Sequence, residues 1–409
     1  MDNLLVLKFG GTSVGNSERI KQVANLVRDK KAKGHSLVVV VSARAKMTDA
    51  LIEDARRFCP DPAPREMDML LTSGERISSA LLAIALNAVG VQAISLTGSQ
   101  AGIITDDDHT NARIIEVRPA RVVEALKAGN VVVISGFQGV SFKKEVTTLG
   151  RGGSDISAVA LAAALEASVC EIYSDVDGVF AADPSIVKDP RRIPELSYQE
   201  MQEMAEAGAK VLHPKAFEFA KPKRTVIHAK STFIPDGEGT IIRNLEGRIK
   251  PRVVGIASEE RVLLARCWDS GGASDLAGSI VNFLKERNLK IKQMSFHQGE
   301  NGRRTGDFII PEKENYHLEA VIPDLEKAFA GSLIVSREIG AVSLIGAGIN
   351  DRFDFLQGCL KLLQEKGLGP KSLHTSSFRI SVLVPRPRVA ETVGLFYERF
   401  LRQMDTEAL

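Results

Sequence analysis

Four short runs of almost unbroken apolar residues constrain this chain more than any other feature. They are LVVVVS at 37–42, VQAISL at 91–96, VVVISG at 131–136 and VCEIYS at 169–174. A strand with one wet face alternates apolar with polar residues, whereas a strand apolar on both faces must be covered on both. These runs therefore predict inner strands of a mostly parallel sheet. Helical patterns lie between them. Ile20, Val23, Ala24 and Val27 fall on one helical stripe, and AVALAAALEA at 158–167 is apolar nearly all round, which predicts a buried helix. Strands alternating with helices up to about residue 245 predict a layered α/β sandwich.

The pattern changes after that point. Arg248, Lys250, Pro251 and Arg252 mark 246–260 as a polar linker, so 1–245 reads as one domain. The remainder repeats itself. LKERNL at 284–289 is echoed by LQEKGL at 363–368, and each closes an amphipathic helix ahead of a strand. Two βαββαβ-like units, 261–336 and 337–409, fit this stretch.

Composition narrows the function. A formal net charge of +2 in 409 residues, with no dense basic stripe, argues against a nucleic-acid partner, and aromatics at 5% offer few stacking platforms. Cys59, Cys170, Cys267 and Cys359 are far apart and form no CxxC pair, which predicts reduced thiols and no zinc site. The first residues pass directly into strand-like sequence with no signal-peptide pattern, and no apolar run reads as a membrane span. The expectation is a cytoplasmic protein with no membrane association.

The chemistry is concentrated in a few loops. In KFGGTSVG at 8–15, a lysine and two glycines end a strand. Glycines let backbone approach an anion, and N–H groups at a following helix start would face it. A tight turn with a solvated lysine fits the spacing equally well. It is neither a Walker A loop nor G-x-G-x-x-G. TTLGRGGSD at 147–155 also suits an anion, with Arg151 able to grip a carboxylate by two parallel bonds. Ser154 or Asp155 could instead cap the next helix. In LTSGER at 71–76, Thr72 and Glu75 are spaced as a capping box, which is the favoured reading there. SDVDGVFAADP at 174–184 is a turn-rich loop after a strand, where α/β sheets bind nucleotides. GAKVLHP at 208–214 adds Lys210. TDDDH at 105–109 looks metal-like but lacks a further ligand, so a solvated acidic loop is favoured.

Taken in order, KFGGTSVG, VVSA at 40–43 with Thr48 six residues after Ser42, LTSGER, TTLGRGGSD, SDVDGVF and GAKVLHP resemble the aspartate kinases, of the amino-acid kinase fold. The resemblance covers essentially the whole chain, because the paired C-terminal repeats resemble that family's ferredoxin-like regulatory ACT domains. It implies ATP-dependent phosphorylation of the β-carboxylate of L-aspartate to 4-phospho-L-aspartate. That is the first step toward lysine, threonine, methionine and diaminopimelate. It implies ATP with Mg²⁺, no metal held by protein ligands alone, a homo-oligomer (a dimer through the ACT units) and an amino-acid effector. By position it places Lys8, Gly10, Gly11 and Asp155 in catalysis. Ser42, Thr48, Glu75, Phe137, Arg151 and Ser154 would surround aspartate. Lys8, Gly11, Ser174, Asp175, Phe180 and Lys210 would line the ATP site.

Three departures stand out. Ala181-Ala182-Asp183-Pro184-Ser185 replaces a family Thr-Thr-Asp-Pro-Arg stretch and loses its phosphate-contacting arginine. Phe180 replaces a tyrosine. CWDSGGASDLAG at 267–278 replaces the Pro-Asp-x-Pro-Gly loop that frames the effector. The alternatives are an acylphosphate-forming kinase for another amino acid and a catalytically weak amino-acid sensor.

Overall fold

The valine-rich runs do form inner strands. The computed structural model describes residues 3–209, 211–234, 236–245, 251–269, 275–300, 302–315, 317–351 and 353–402. The chain divides into two units. One comprises Met1–Phe180, Arg191–Ala205 and Lys210–Ile249; the other comprises Ala181–Pro190, Glu206–Ala209 and Lys250–Leu409.

In chain order the first unit contains β1 (Leu4–Phe9), α1 (Ser17–Ala32), β2 (Ser36–Val41), α2 (Met47–Phe58), α3 (Pro64–Ala88), β3 (Ala93–Leu96), β4 (Ile103–Thr105), β5 (Ile114–Val117), α4 (Ala120–Lys127), β6 (Val131–Ser135), β7 (Gln138–Ser141), β8 (Val146–Thr148), α5 (Gly153–Ala164) and β9 (Val169–Ser174). It continues through β10 (Val179–Phe180), β11 (Arg192–Ile193), β12 (Glu195–Ser197), α6 (Tyr198–Glu206), α7 (Phe217–Lys223), β13 (Val226–Ser231) and β14 (Thr240–Arg243). Eight strands form the main sheet in the order β12-β14-β13-β9-β1-β2-β6-β3. The six from β13 to β3 are parallel. Their carboxyl ends therefore share one edge. β1 lies between β2 and β9, with Val6 and Leu7 fully buried, as a strand covered on both faces requires. The α1 stripe of Ile20, Val23, Ala24 and Val27 packs into the core with Leu82 and Leu86 of α3. The apolar helix α5 is buried almost throughout.

Two local expectations fail. Thr72 and Glu75 do not open a helix, because α3 already starts at Pro64, a residue pre-set for the first helical position. The 25-residue α3 is also long and apolar enough to cross a membrane, contrary to the reading that no such segment exists. Half of its most apolar stretch is buried inside the protein, and it carries the buried carboxylates Asp68 and Glu75. Those features belong to a core helix.

The second unit is built on one six-stranded sheet of order β16-β17-β15-β18-β20-β19. Its elements are β15 (Gly255–Asp269), α8 (Leu276–Glu286), β16 (Gln293–Gln298), β17 (Arg304–Pro311), α9 (Leu318–Ala328), β18 (Leu333–Ile345), α10 (Asp354–Glu365), β19 (Ser372–Ser376), β20 (Arg379–Pro385) and α11 (Val389–Tyr397). Residues 255–260, expected within a linker, are instead the start of the long strand β15. Its later part, from Val262, pairs with β17 and with the start of β18, which completes one βαββαβ half. Its first part, Gly255 to Glu259, pairs with Ile345 to Ala341 of β18, which in turn pairs with β20. The second half thus takes its fourth strand from sequence ahead of the first, and the two repeats are interleaved. Alternate residues of β15 enter separate cores: Leu263, Ala265 and Cys267 in one, Val262 and Leu264 in the other.

Candidate active site

Lys8 stands at the carboxyl end of β1, and its Nζ lies 2.6 Å from Asp155 Oδ1, with each side chain only 11% exposed. The chain turns immediately after Phe9. The N–H of Gly10 donates to the Tyr173 carbonyl at 3.2 Å, and that of Ser13 to the Gly10 carbonyl at 3.0 Å. Gly11 is required by close approach, since a Cβ there would lie 2.7 Å from the Ala43 carbonyl oxygen. The helix does not follow at once: α1 begins at Ser17 and is capped by Asn16, whose side chain accepts from the Arg19 N–H at 2.9 Å. The glycine turn therefore precedes the helix start, at which Asn16 occupies one of the first-turn donors.

α5 supplies the facing wall. Its N-cap is Gly152 in the left-handed region, with no side-chain cap, so neither Ser154 nor Asp155 is used as a cap. Both are buried, and both reach toward the carboxyl ends of the strands. Ser154 Oγ lies 2.7 Å from Ser42 Oγ, just beyond β2, while Asp155 meets Lys8. Ala43, the next residue, donates its N–H to Glu75 Oε1 at 3.0 Å. Glu75 comes from the middle of α3, is 4% exposed, and its Oε2 has no partner among the described residues. Burial pushes its carboxyl up to about 7, against the lowering pull of the Ala43 and Glu75 N–H groups.

Phe137 follows β6 with φ at +67°, an uncommon conformation for a bulky residue. It is pinned there, its N–H donating to Ser157 Oγ at 3.1 Å and its carbonyl accepting from the Leu149 N–H at 2.9 Å. Arg151 is exposed in the loop before α5, and Thr48 is half-buried in the first turn of α2. Lys8, Ser42, Glu75, Ser154 and Asp155 are thus joined by direct contacts or adjacent residues. Gly10, Gly11, Phe137, Arg151 and Thr48 lie on the segments that carry them.

On the other side of β1, Ser174 ends β9, and its hydroxyl donates to the Val176 carbonyl at 3.2 Å. Asp175 is exposed, and Phe180 is half-buried in the short β10–β11 pair. Lys210 lies outside the described residues. Ala181 and Ala182 are buried, which accounts for small apolar residues there. The Ser185 N–H and hydroxyl both donate to Asp183 Oδ1, at 2.8 and 2.6 Å, closing a local turn. Of the cations near that segment, Arg192 is held by Glu238 and the Gly239 carbonyl.

TDDDH, expected as a solvated acidic loop, is instead tied to α3 at its end, although Asp107 and Asp108 are exposed. The fully buried Asp68 of α3 accepts from the Thr110 N–H at 3.1 Å and from Thr148 Oγ1 at 2.5 Å, and lies 2.7 Å from His109 Nδ1. Asp107 pairs with Lys143 at 2.8 Å. No group of three or more His, Cys, Asp or Glu able to hold a metal occurs among the described residues. Sequence reasoning missed Asp68 entirely, because a lone aspartate in a helical pattern carries no signal of its long-range partners. It also missed the Ser13–Thr232 hydroxyl pair at 2.7 Å, which ties the glycine turn to the segment after β13. A separate cavity of about 640 Å³, lined in part by Arg19, Lys30, Lys230 and Phe233, includes none of the sequence-predicted site residues.

Comparison with known proteins adds a family context. The family model described as the amino acid kinase family matches residues 3–229. The aspartokinase of Mycolicibacterium smegmatis is 41% identical over 416 residues, covering 99% of this chain and 98% of that protein. The crystal structure of E. coli aspartokinase III in complex with aspartate and ADP (R-state) superposes with a TM-score of 0.82 at 23% identity, covering 97% of this chain and 99% of that one. The same enzyme in complex with lysine and aspartate (T-state) gives a TM-score of 0.75 at 22% identity, covering 98% and 100%. At those identities the two structures speak for the fold.

Proposed function

The chain belongs to the amino acid kinase family, among its aspartokinases, and we propose that it transfers the γ-phosphoryl group of ATP to the β-carboxylate of L-aspartate, giving 4-phospho-L-aspartate and ADP. The observation that carries this reading is Glu75: a buried carboxylate with one oxygen unpartnered among the described residues, held through Ala43 beside the Ser42–Ser154 and Lys8–Asp155 contacts. A buried unpartnered oxygen is costly in the free chain and favours a ligand that brings a cation. The α-ammonium of an amino acid fits it. Arg151 then takes the α-carboxylate by a two-pronged contact, with Thr48, Phe137 and the Ser42–Ser154 pair around the side chain.

The chemistry follows from charge. The β-carboxylate of aspartate has a reference pKa of about 3.9, so at neutral pH it is already a nucleophile and needs no base. Its attack on the γ-phosphorus forms a C–O–P bond as the bond to the β,γ-bridging oxygen breaks, and the electron pair leaves with ADP. The obstacle is repulsion between two anions, so positioning and charge neutralisation carry the rate. Lys8 supplies a cation at the transferring group, the Gly10–Gly11 turn lets backbone approach it, and Asp155 fixes the Lys8 ammonium. Ser174, Asp175, Phe180 and Lys210 line the nucleotide. Mg²⁺ carried in with the nucleotide would neutralise phosphate charge when bound.

We further assign catalysis to the part of the chain before about residue 250 and amino-acid sensing to the interleaved, ACT-like part after it. The protein is expected in the cytoplasm, as a homodimer through its C-terminal sheet. The outermost strands β16 and β19, each with an exposed end, support that assembly. The substrate assignment is tested with Glu75→Gln. The KM for L-aspartate is expected to rise tenfold or more, roughly the loss of one charge-assisted contact, with the KM for ATP nearly constant. An unchanged KM for aspartate would refute the role of Glu75.

A further inference from the structure

Phe137 does not adopt its left-handed conformation by preference. A φ of +67° costs a bulky residue free energy, and such a backbone persists only where its surroundings over-determine it. The flanking residues are fixed first. At Gly136 a Cβ would lie 2.8 Å from the Ser154 Cβ, so the chain enters Phe137 directly against α5. On the far side Gln138 is buried at the start of β7, and its Nε2 donates to the Thr72 carbonyl of α3 at 3.1 Å.

Phe137 itself is then clamped at both backbone groups, by the Leu149 N–H at its carbonyl and by Ser157 Oγ at its N–H. Ser157 lies in α5, between the TTLGRGGSD stretch and the apolar run, and is fully buried. Its hydroxyl donates to the Gly153 carbonyl at 2.9 Å. A hydroxyl has one proton, so that bond leaves the oxygen to accept from the Phe137 N–H. The polarity of the contact is thus set by α5. Gly153 meets Phe137 a second time, since a Cβ there would lie 2.8 Å from Cδ2 of the ring. The ring is therefore laid against the first residue of α5, next to Ser154, and Phe137 remains half-exposed.

We propose that Ser157 is a positioning residue for the acceptor substrate: by accepting from the Phe137 N–H it keeps the Phe137 ring against the first turn of α5, as a wall beside Ser154. The inference rests on the proposed function in taking Phe137 and Ser154 as residues around the acceptor. Without the Ser157 oxygen the buried end of the clamp is lost, the Phe137 N–H has no partner, and the backbone is free to relax toward negative φ. That rotation carries the ring off Gly153. A displacement on the order of 1 Å beside the reacting groups is enough to slow the reaction severely.

The test uses the full chain. Ser157→Ala is expected to lower kcat/KM for L-aspartate about tenfold, while the KM for ATP changes less than about twofold. Ser157→Cys keeps a weaker acceptor in place and should fall between Ser157→Ala and the unaltered chain. It also keeps the buried volume, so it carries the test if Ser157→Ala does not fold. Action through Phe137 makes the two residues non-additive: Phe137→Ala alone and Phe137→Ala with Ser157→Ala should agree in kcat/KM for aspartate within about twofold. A packing role in α5 would not give that coupling. Unaltered kcat/KM in both Ser157 variants would overturn the proposal, as would effects of the Ser157 and Phe137 substitutions that multiply. So would an equal rise in the KM values for ATP and aspartate, which would mean that α5 had shifted as a whole and taken Asp155 with it. Turnover of the unaltered chain with L-aspartate, measured alongside, bears on the acceptor alone. Were another amino acid the acceptor, the same series read with it would still test the coupling of Ser157 to Phe137.

Discussion

Lys8 lies 2.6 Å from Asp155, so its charge is neutralised in the free chain until a phosphate competes for it. That geometry makes Lys8→Ala a double lesion. Turnover is expected to fall a hundredfold or more, the usual scale for one lost transition-state charge contact. The sheltered Asp155 would also be left without its cation, at a cost of roughly 3 kcal/mol. Lys8→Ala combined with Asp155→Asn should regain much of the thermal midpoint without regaining turnover, which separates the two effects. Glu75 gives a pH signature. Its carboxyl titrates near 7 in the folded chain against 4.5 as the ordinary value, so between those pH values the folded chain holds a proton that the unfolded chain releases. Stability contributed by this group therefore falls as pH rises through that window, by up to about 3 kcal/mol, and Glu75→Gln should remove the fall. Binding of an ammonium needs the carboxylate. The KM for L-aspartate should accordingly rise by about tenfold per unit as pH drops below 7, and lose that slope in Glu75→Gln. A flat profile in the unaltered chain would contradict the assignment.

At the scale of elements, α3 and α5 carry most of the site, and they were legible to different degrees. The apolar stretch of α5 announced a buried helix, and the glycines before it marked a loop able to approach an anion. α3 misled because Thr72 and Glu75 have the spacing of a capping box, and spacing alone cannot separate a helix start from a helix interior. Pro64 was the signal that could have placed the start. Nor could local sequence show what Asp68 does, since its partners Thr110 and Thr148 lie 42 and 80 residues away. Asp68 holds the acidic loop onto α3 through a charge buried among donors, so its loss belongs to stability. Asp68→Ala is expected to lower stability by about 3 kcal/mol, read by denaturant unfolding, and to leave the KM for ATP nearly unchanged. A stable variant would mean that the loop is held by other contacts.

For the whole molecule, the parallel sheet and the two C-terminal repeats were readable from periodicity, but their interleaving was not. Arg248, Lys250, Pro251 and Arg252 made 246–260 read as linker, and Ser-Glu-Glu-Arg at 258–261 interrupts the apolar pattern at the register irregularity in β15. The strand is recognisable only through partners in β18, at pairings such as Gly255 with Ile345. In the loop expected to frame an effector, Asp275 caps α8 through the Gly278 N–H at 2.9 Å, while 270–274, with Gly271 and Gly272, lie outside the described residues. The sequence of that loop, with glycines where the resemblance implies prolines, carries the expectation that inhibition by L-lysine or L-threonine is slight at about 1 mM. Titrating each, alone and together, at subsaturating aspartate checks this, and strong inhibition below that concentration would contradict it. The most direct test of the account as a whole is to incubate the chain with ATP, Mg²⁺ and one amino acid at a time, trapping acyl phosphate with hydroxylamine while following ADP release. L-Aspartate should give the hydroxamate in step with ADP, and L-glutamate should give little of either. ADP release that is indifferent to aspartate, or hydroxamate formed preferentially from another amino acid, would contradict it.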